Sequence, residues 1–185
     1  MLIRKQFKFE MAHVVRNAWS QRCSKNIHGH SYLVEILFKG SSLDKGQMLV
    51  DFGIIKKYLN DFIDSFDHSL CLWESVESEE VINFMKKHFE RVIVMPVNSS
   101  AEMQAKLFYD FTNKILSYLK NQFPEYVNES VEVYSVRVHE TTTGWAEANY
   151  NDSLNLVSSR DIEFSQGIKN DWKEEFIKQY YKNEN

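Results

Sequence analysis

The sequence predicts an α+β fold, with a four-stranded antiparallel sheet and two main helices on one of its faces. Three observations lead to this prediction. Apolar and polar residues alternate in two segments near the start of the chain and in two more after residue 130. Between these pairs, two segments carry apolar residues three and four positions apart, which is the spacing of amphipathic helices. The order strand–strand–helix–helix–strand–strand is typical of one sheet covered on one side by helices.

The first half of the chain supplies two strands and one helix. Strict alternation predicts a strand at about 3–11 and another at 28–39, separated by an irregular loop and followed by a turn at 40–46. Asp51 is placed to cap the helix that follows. The apolar stripe of this helix consists of Phe52, Ile55, Leu59, Phe62 and Phe66.

The second half begins with an insertion-like segment at 72–98, which predicts a short helix near 78–89 and a short strand at 91–95. A long helix is predicted over about 100–122. Its apolar stripe consists of Met103, Leu107, Phe111, Ile115 and Leu119. Two further strands are predicted at 131–140 and 145–150. The tail from 151 onward is polar, and its helical signal consists of Trp172, Phe176 and Tyr180.

Composition excludes several classes of protein. With 185 residues, 43% of them hydrophobic, the chain can bury a substantial core. A net charge of −4 gives no basic field for nucleic acid, and no apolar run is long enough to span a membrane. The chain has two cysteines, which are too few for a disulfide framework. The sequence therefore predicts a cytoplasmic protein with reduced thiols and no nucleic-acid or membrane partner.

Three histidines lie at the ends of the predicted strands. Continuing the buried face of the first strand beyond Met11 reaches His13, and continuing that of the second strand backward from Tyr32 reaches His30 and His28. Side chains two residues apart on a strand point the same way, so His28 and His30 share a face. Two paired strands could bring the three imidazoles together, and zinc favours such ligands, with a fourth position left open in catalytic sites. Each histidine alone is more often an ordinary polar residue.

Cys23 lies in the loop before His28, between Arg22 and Lys25. Neighbouring cations favour the thiolate form, which suits a proton-abstracting base or a nucleophile. Two other interpretations stay open at this point. Cys23 could be a fourth zinc ligand in a closed structural site, or a loop cysteine without a chemical role.

Three carboxylates have both a chemical and a structural interpretation. Asp67 precedes His68 and could orient it as a proton shuttle, or could simply end the helix. Glu140 continues the apolar face of Tyr134, Val136 and Val138, so it needs hydrogen-bond donors such as those of a flat heterocycle, or a partner such as Arg137. Glu102 follows Ser99 at the spacing of a helix capping box, and on the residues alone this interpretation is favoured over a role in ligand binding.

Several short motifs occur in a fixed order along the chain. They are His13 in FEMAH, Cys23 before His28-Gly-His30, Val50-Asp51-Phe52, Phe66-Asp67-His68 and His139-Glu140-Thr141. In this order the chain resembles the 6-pyruvoyltetrahydropterin synthase family over roughly residues 3–150. Within the family, the closer likeness is to the bacterial branch that forms 6-carboxytetrahydropterin for queuosine.

The resemblance implies a T-fold (tunnelling fold) in residues 1–150, followed by a C-terminal extension of unknown role at 151–185. It implies Zn²⁺ on His13, His28 and His30, and 7,8-dihydroneopterin triphosphate as the substrate. It further implies Cys23 as the base, Asp67 and His68 as the proton relay, and Glu140 with the Ser100–Glu102 segment as the pterin seat. Family members form hexamers of two trimers, with sites between subunits.

The expected reaction is the zinc-dependent conversion of dihydroneopterin triphosphate to 6-carboxytetrahydropterin, with release of acetaldehyde and triphosphate. Arg16, Arg22 and Lys25 are our hypothesis for triphosphate contacts, because an acidic protein must concentrate cations locally. They could equally form an ordinary solvated loop. Two alternative functions remain at this stage: formation of the pyruvoyl product at the same site, and a non-catalytic zinc module with a closed site of Cys23 and the three histidines.

Overall fold

The structure is a computed structural model that describes residues 1–155 and 157–181. Its regular elements follow the predicted order, with additional elements in the middle and at the end. The strands are β1 (Leu2–His13), β2 (His28–Lys39), β3 (Ser69–Trp73), β4 (Val92–Met95), β5 (Glu132–His139), β6 (Trp145–Asn149) and β7 (Glu163–Phe164). The helices are α1 (Gln21–Lys25), α2 (Phe52–Asp64), α3 (Glu79–His88), α4 (Ala101–Gln122), α5 (Gln166–Asn170) and α6 (Glu174–Tyr181).

The sheet differs from the prediction in strand number and in direction. It contains seven strands in the order β6-β5-β2-β1-β3-β4-β7, rather than four. The four predicted strands are present as β6, β5, β2 and β1. The sheet is also mixed, because β3 pairs in parallel with both β1 and β4. A parallel pair needs a long crossover connection, and α3 supplies it between β3 and β4. The sequence predicted α3 and β4, at about 78–89 and 91–95, but β3 was missed, because a short apolar strand without alternation gives no clear signal.

By contacts the chain divides into two compact units. Of the described residues, unit 1 comprises 1–8, 32–60, 101–155 and 157–158, and unit 2 comprises 9–31, 61–100 and 159–181. Among the described residues of both units, no helix combines the length and the apolar character needed to cross a bilayer.

In unit 1, the long helix α4 packs against β5 and β6. The predicted stripe residues Leu107, Phe111, Ile115 and Leu119 are all buried, whereas Met103 is half-buried. Each buried Leu or Phe side chain contributes about 1.5–3 kcal/mol through removal from water, so this stripe is a main source of stability.

A bulge in β5 changes which of its residues face the core. β2 and β5 are antiparallel, and the register shifts between Leu37, which pairs with Ser135, and Phe38, which pairs with Val133. Tyr134 is therefore the extra residue and is 47% exposed. The prediction that Tyr134 shares the apolar face was wrong, because the sequence pattern assumed unbroken alternation.

A buried carboxylate joins three neighbours in the same unit. Glu35 of β2 is 4% exposed and accepts hydrogen bonds from Arg4 Nη1 at 2.6 Å and Gln6 Nε2 at 2.8 Å. His139 Nε2 lies 3.1 Å from its other oxygen. Burial opposes ionisation of Glu35, but these hydrogen bonds and the Arg4 charge together lower its pKa. His139 therefore has a structural partner within unit 1.

Unit 2 is centred on β3 and β4. Leu72, Ile82, Val92 and Val94 form an apolar cluster beneath α3. The C-terminal segment joins this unit, since Phe164 of β7 pairs with Ile93 of β4. Trp172 and Phe176, two residues of the predicted helical signal, are buried. The third, Tyr180, falls within α6, but its side chain lies outside what the structure describes.

Candidate active site

The three predicted metal ligands meet in unit 2. His13 is the last residue of β1, and His28 and His30 begin β2. Their ring centroids are 4.6 Å apart for His13 and His28, 5.2 Å for His13 and His30, and 5.1 Å for His28 and His30. One nitrogen of each ring lies within 4.8 Å of the other two. This nearly equilateral arrangement matches the sequence prediction.

Backbone carbonyls fix the orientation of two of these rings. His13 Nδ1 lies 2.8 Å from the carbonyl oxygen of Ser99, and His28 Nδ1 lies 3.1 Å from that of Asn26. A carbonyl can only accept, so each Nδ1 donates its proton there, and Nε2 is the nitrogen that remains for a metal. Metal-binding histidines commonly donate their second ring nitrogen in this way. These contacts prepare His13 and His28 to bind a metal through Nε2.

Burial keeps His13 in the form that binds metals. Its side chain is inaccessible to solvent, and this desolvation, together with the neighbouring imidazoles, lowers its pKa to about 4 despite the opposing Ser99 hydrogen bond. His13 is therefore neutral at pH 7. A set of three imidazole nitrogens suits Zn²⁺. The residues present thus fit a zinc ion, with His13, His28 and His30 as the ligands.

Gly29 allows the two histidines of β2 to lie this close to β1. A Cβ at this position would lie 3.3 Å from the carbonyl oxygen of Met11, which is tighter than an ordinary contact. The glycine of the His-Gly-His motif therefore has a packing role.

Cys23 lies on the short helix α1 and is not part of the histidine group. The helix begins at Ser20, whose hydroxyl accepts a hydrogen bond from Arg22 N at 3.2 Å. The Cys23 carbonyl accepts from Val15 N at 3.1 Å, which joins α1 to the chain leaving β1. The thiol is free and half-buried. Its sulfur is not among the donor atoms that lie within 4.8 Å of one another, which disfavours a closed site of Cys23 and three histidines.

Arg16, one of the three cations in our triphosphate hypothesis, is paired with groups of the protein itself. Its Nε and Nη2 donate to the two carboxylate oxygens of Glu77 at 2.6 and 2.8 Å, and its Nη1 donates to the Ser24 carbonyl at 3.0 Å. The guanidinium is thus occupied by the protein itself. The other two predicted cations, Arg22 and Lys25, are exposed in the last turn of α1, and their role stays a prediction.

Asp67 and His68 form a direct pair in an unusual turn. His68 has a positive φ of 53°, a left-handed conformation that few residues other than glycine adopt. This conformation brings His68 Nδ1 to 2.8 Å from Asp67 Oδ2, while Asp67 Oδ1 accepts from Glu10 N at 2.8 Å. Although partial burial opposes it, hydrogen bonds from Glu10 and His68 lower the pKa of Asp67. The pair therefore consists of an ionised carboxylate and an oriented imidazole that is 75% exposed.

A cavity of about 400 Å³ in unit 2 is lined by a member of the histidine group and by a member of the Asp67–His68 pair. These residues are His30 and His68. The full lining consists of Glu10, Met11, Ala12, Gly29, His30, Ser31, His68 and Ser69.

The predicted pterin-binding residues are placed as follows. In unit 1, Glu140 follows β5, and the buried Tyr32 hydroxyl donates to its Oε1 at 3.4 Å. Glu102 is exposed in the first turn of α4. Ser100, in unit 2, is half-buried. Their contribution to a pterin seat stays a prediction.

Several contributors were missed from the sequence. The Ser99 and Asn26 carbonyls are backbone groups, which carry no residue-specific signal. Glu77 lies in a polar stretch that resembles an ordinary surface turn. Cys71, the register partner of His13, is fully buried, and this raises the pKa of its thiol to about 12. Cys71 is therefore a protonated core residue and lies outside the histidine group.

This chain is similar in sequence to one family of known proteins. The family model described as 6-pyruvoyl tetrahydropterin synthase matches residues 2–151. A Helicobacter pylori protein named 6-carboxy-5,6,7,8-tetrahydropterin synthase is 41% identical over 177 residues, which cover 93% of this chain and 86% of the relative. An Aquifex aeolicus protein with the same name is 28% identical over 163 residues, covering 78% of this chain and 95% of the relative.

Solved structures have the same fold. A Plasmodium vivax 6-pyruvoyl tetrahydropterin synthase matches with a TM-score of 0.56 at 16% identity, covering 80% of this chain and 97% of its own. An uncharacterized Wolinella succinogenes protein matches with a TM-score of 0.57 at 19% identity, covering 81% of this chain and 98% of its own. At these identities the likeness concerns the fold alone.

Proposed function

This chain belongs to the 6-pyruvoyl tetrahydropterin synthase family, and from that premise we propose that it acts as a 6-carboxy-5,6,7,8-tetrahydropterin synthase. The reaction would convert 7,8-dihydroneopterin triphosphate and one water molecule to 6-carboxytetrahydropterin, acetaldehyde and triphosphate. The Helicobacter pylori relative of that name, at 41% identity, supports this branch of the family over the pyruvoyl branch.

The observation that carries an enzymatic role is the meeting of His13, His28 and His30 without a cysteine in the group. Three imidazole ligands without a fourth protein donor are the pattern of catalytic rather than structural zinc sites, in which one position is left for substrate. When bound, zinc would polarise the hydroxyl groups of the substrate side chain and fix their geometry.

The protein's own residues would move the protons. Cys23, as the thiolate, would take a proton from a carbon of the substrate side chain at Sγ. His68 would give or take a proton at Nε2, because its Nδ1 is held by Asp67. The Asp67 carboxylate would stabilise the imidazolium that forms in this step.

Binding of the pterin would rest on Glu140, with help from Ser100 and Glu102. A carboxylate can accept two parallel N–H donors from the amino-pyrimidine edge of a pterin. The hydrogen bond from Tyr32 to Glu140 Oε1 supports this role, since it limits the rotation of the carboxylate. Arg22 and Lys25 would attract the triphosphate.

The proposal extends to the wider setting of the enzyme. It includes Zn²⁺ as the cofactor, a cytoplasmic location, a place in queuosine biosynthesis and a hexamer of two trimers. The two free cysteines are consistent with a reducing compartment. The family match to residues 2–151 supports a catalytic domain over 1–150 and an extension over 151–185.

A product assay tests the proposed reaction. The zinc-loaded protein is incubated with 7,8-dihydroneopterin triphosphate, and the pterin and aldehyde products are identified by mass spectrometry. We expect 6-carboxytetrahydropterin and acetaldehyde in equal amounts. Formation of the pyruvoyl product without acetaldehyde would assign the chain to the other branch, and no turnover would refute both.

A further inference from the structure

The left-handed turn at His68 needs support from its surroundings. A histidine at positive φ is less stable than in an ordinary conformation, so such a residue persists only where neighbouring groups fix it. One support comes from the preceding strand, because His68 N donates to the Glu10 carbonyl at 2.6 Å. The others come from Arg91 and from the C-terminal segment, which we define as residues 159–177.

Arg91 binds the backbone on which the pair is built. Its Nε donates to the Asp67 carbonyl at 2.7 Å, and its Nη2 donates to the Asp64 carbonyl at 2.8 Å. These carbonyls belong to the end of α2 and to the turn after it, where carbonyl groups have no N–H partner within the helix. A planar guanidinium can hold both at once in a fixed geometry, which an ammonium cannot. Arg91 therefore fixes the path of the chain from α2 into His68.

The C-terminal segment holds Arg91 and the end of α2 in turn. Asp171 accepts a hydrogen bond from Arg91 Nη1. Trp172 Nε1 donates to Ser65 Oγ at 2.7 Å, and its ring packs edge-on against Phe164. Phe164 packs in the same way against Phe66, the residue before Asp67. The segment thus contacts the turn by charge, by hydrogen bonding and by aromatic packing.

We infer that Arg91 and the C-terminal segment are positioning elements for the Asp67–His68 pair. This inference rests on the proposed function, in which His68 moves a proton. The segment lies beyond residues 2–151, which the family model matches. The inference therefore assigns a role to part of the extension at 151–185, for which the family match gives none. Arg91 and Asp171 act through the turn and have no contact role with substrate.

Two substitutions test the inference with little risk to folding. Asp171→Asn removes the charge that holds Arg91, and Arg91→Lys keeps the charge but loses the two-carbonyl contact. Glu163→Gln is the matched control, because Glu163 lies on the same segment and pairs with Lys86 at 2.6 Å. The exposed fractions of the side chains are 24% and 60% for Lys86 and Glu163, against 21% and 61% for Arg91 and Asp171. Both pairs should contribute equally little to stability as partly exposed ion pairs.

We expect the loss to fall on kcat. A displacement of about 1 Å can cost about a hundredfold in rate, so Arg91→Lys should lower kcat about ten- to a hundredfold and Asp171→Asn about three- to thirtyfold. KM should change less than about twofold, since His68 moves a proton and binds little. Glu163→Gln should leave both constants as in the wild type.

A second readout does not depend on turnover. The tautomer of His68 is measured by NMR of ¹⁵N-histidine-labelled protein, in which the His68 signals are those missing from the spectrum of His68→Gln. The contact with Asp67 should hold neutral His68 in the Nδ1–H tautomer. Asp171→Asn and Arg91→Lys should increase the Nε2–H tautomer, and Glu163→Gln should not. Unchanged kcat and tautomer in Asp171→Asn would overturn the inference, even if Arg91→Lys failed to fold. Absence of turnover in the wild type would instead refute the proposed function, and the tautomer measurement would still decide the positioning role.

Discussion

The ion pair of Arg16 and Glu77 stabilises the part of unit 2 that carries α1 and Cys23, and its contribution to stability can be measured. Glu77→Gln removes the negative charge and leaves the shape of the side chain nearly unchanged. The two hydrogen bonds, at 2.6 and 2.8 Å, are short and charge-assisted, and the side chains are 6% exposed for Glu77 and 29% for Arg16. Solvent therefore screens this pair only in part.

The expected loss follows from these contacts. A hydrogen bond to a charged group contributes about 1.5–3 kcal/mol, and the amide of Gln can still accept one of the two. Since Arg16 also retains the Ser24 carbonyl, we expect a net loss of about 2–3 kcal/mol in the free energy of unfolding. For a protein of this size, each kcal/mol corresponds to about 2–4 °C in Tm, so Tm should fall by about 4–12 °C.

The assay is urea and thermal unfolding in the presence of a chelator, so that metal binding adds nothing to the difference. Glu147→Gln is the control, because Glu147 accepts one hydrogen bond from Arg137 at 2.9 Å and these side chains are 21% and 35% exposed. We expect that control to lose less than about 1 kcal/mol. Equal losses in the two variants, within about 0.5 kcal/mol, would refute the reasoning.

Three further results are expected. Cys23→Ala should abolish turnover but bind as much zinc as the wild type, as measured by elemental mass spectrometry. Loss of zinc in this variant would favour the closed site of Cys23 and the three histidines. Chelation should abolish turnover with little change in far-UV circular dichroism, because an open site does not hold the fold together, and unfolding on chelation would contradict this. The hydrogen-bonded Glu35 has its pKa below the usual 4.5, so its stabilisation is present above that pH and lost as pH falls through the folded-state pKa. The difference in urea midpoint between wild type and Glu35→Gln should therefore shrink as the pH is lowered from 6 to below 4.5. A difference that stays constant would exclude the Glu35 carboxylate as the cause of the loss of stability in acid.

The sequence predicted the elements with a clear period, and also α3 and β4, but it missed β3 and the parallel pairing of that strand. Long amphipathic elements such as α4 were found within a residue or two, because their burial follows a simple period. β3 was missed, since Leu70, Cys71 and Leu72 form a short apolar run without alternation. The parallel pairing of β1 with β3 could not be predicted from local pattern, because it depends on contacts between residues distant in the chain.

The residues of the candidate site also differ in how far local sequence pattern predicts their contacts. His13, His28 and His30 were predicted because strand periodicity fixes which side chains share a face. The Asp67–His68 contact needed the positive φ of His68, since adjacent side chains on ordinary backbone point apart. The roles of Arg91 and Glu77 depend on partners distant in the chain, which no local motif reveals.

The central claim is that zinc binds three histidines and keeps one position for substrate. X-ray absorption at the zinc edge of the loaded protein measures the ligand set directly. We predict a first shell of nitrogen and oxygen alone at about 2.0–2.1 Å, fitted by three imidazoles and one water. A sulfur neighbour at about 2.3 Å would place Cys23 on the metal and contradict the account.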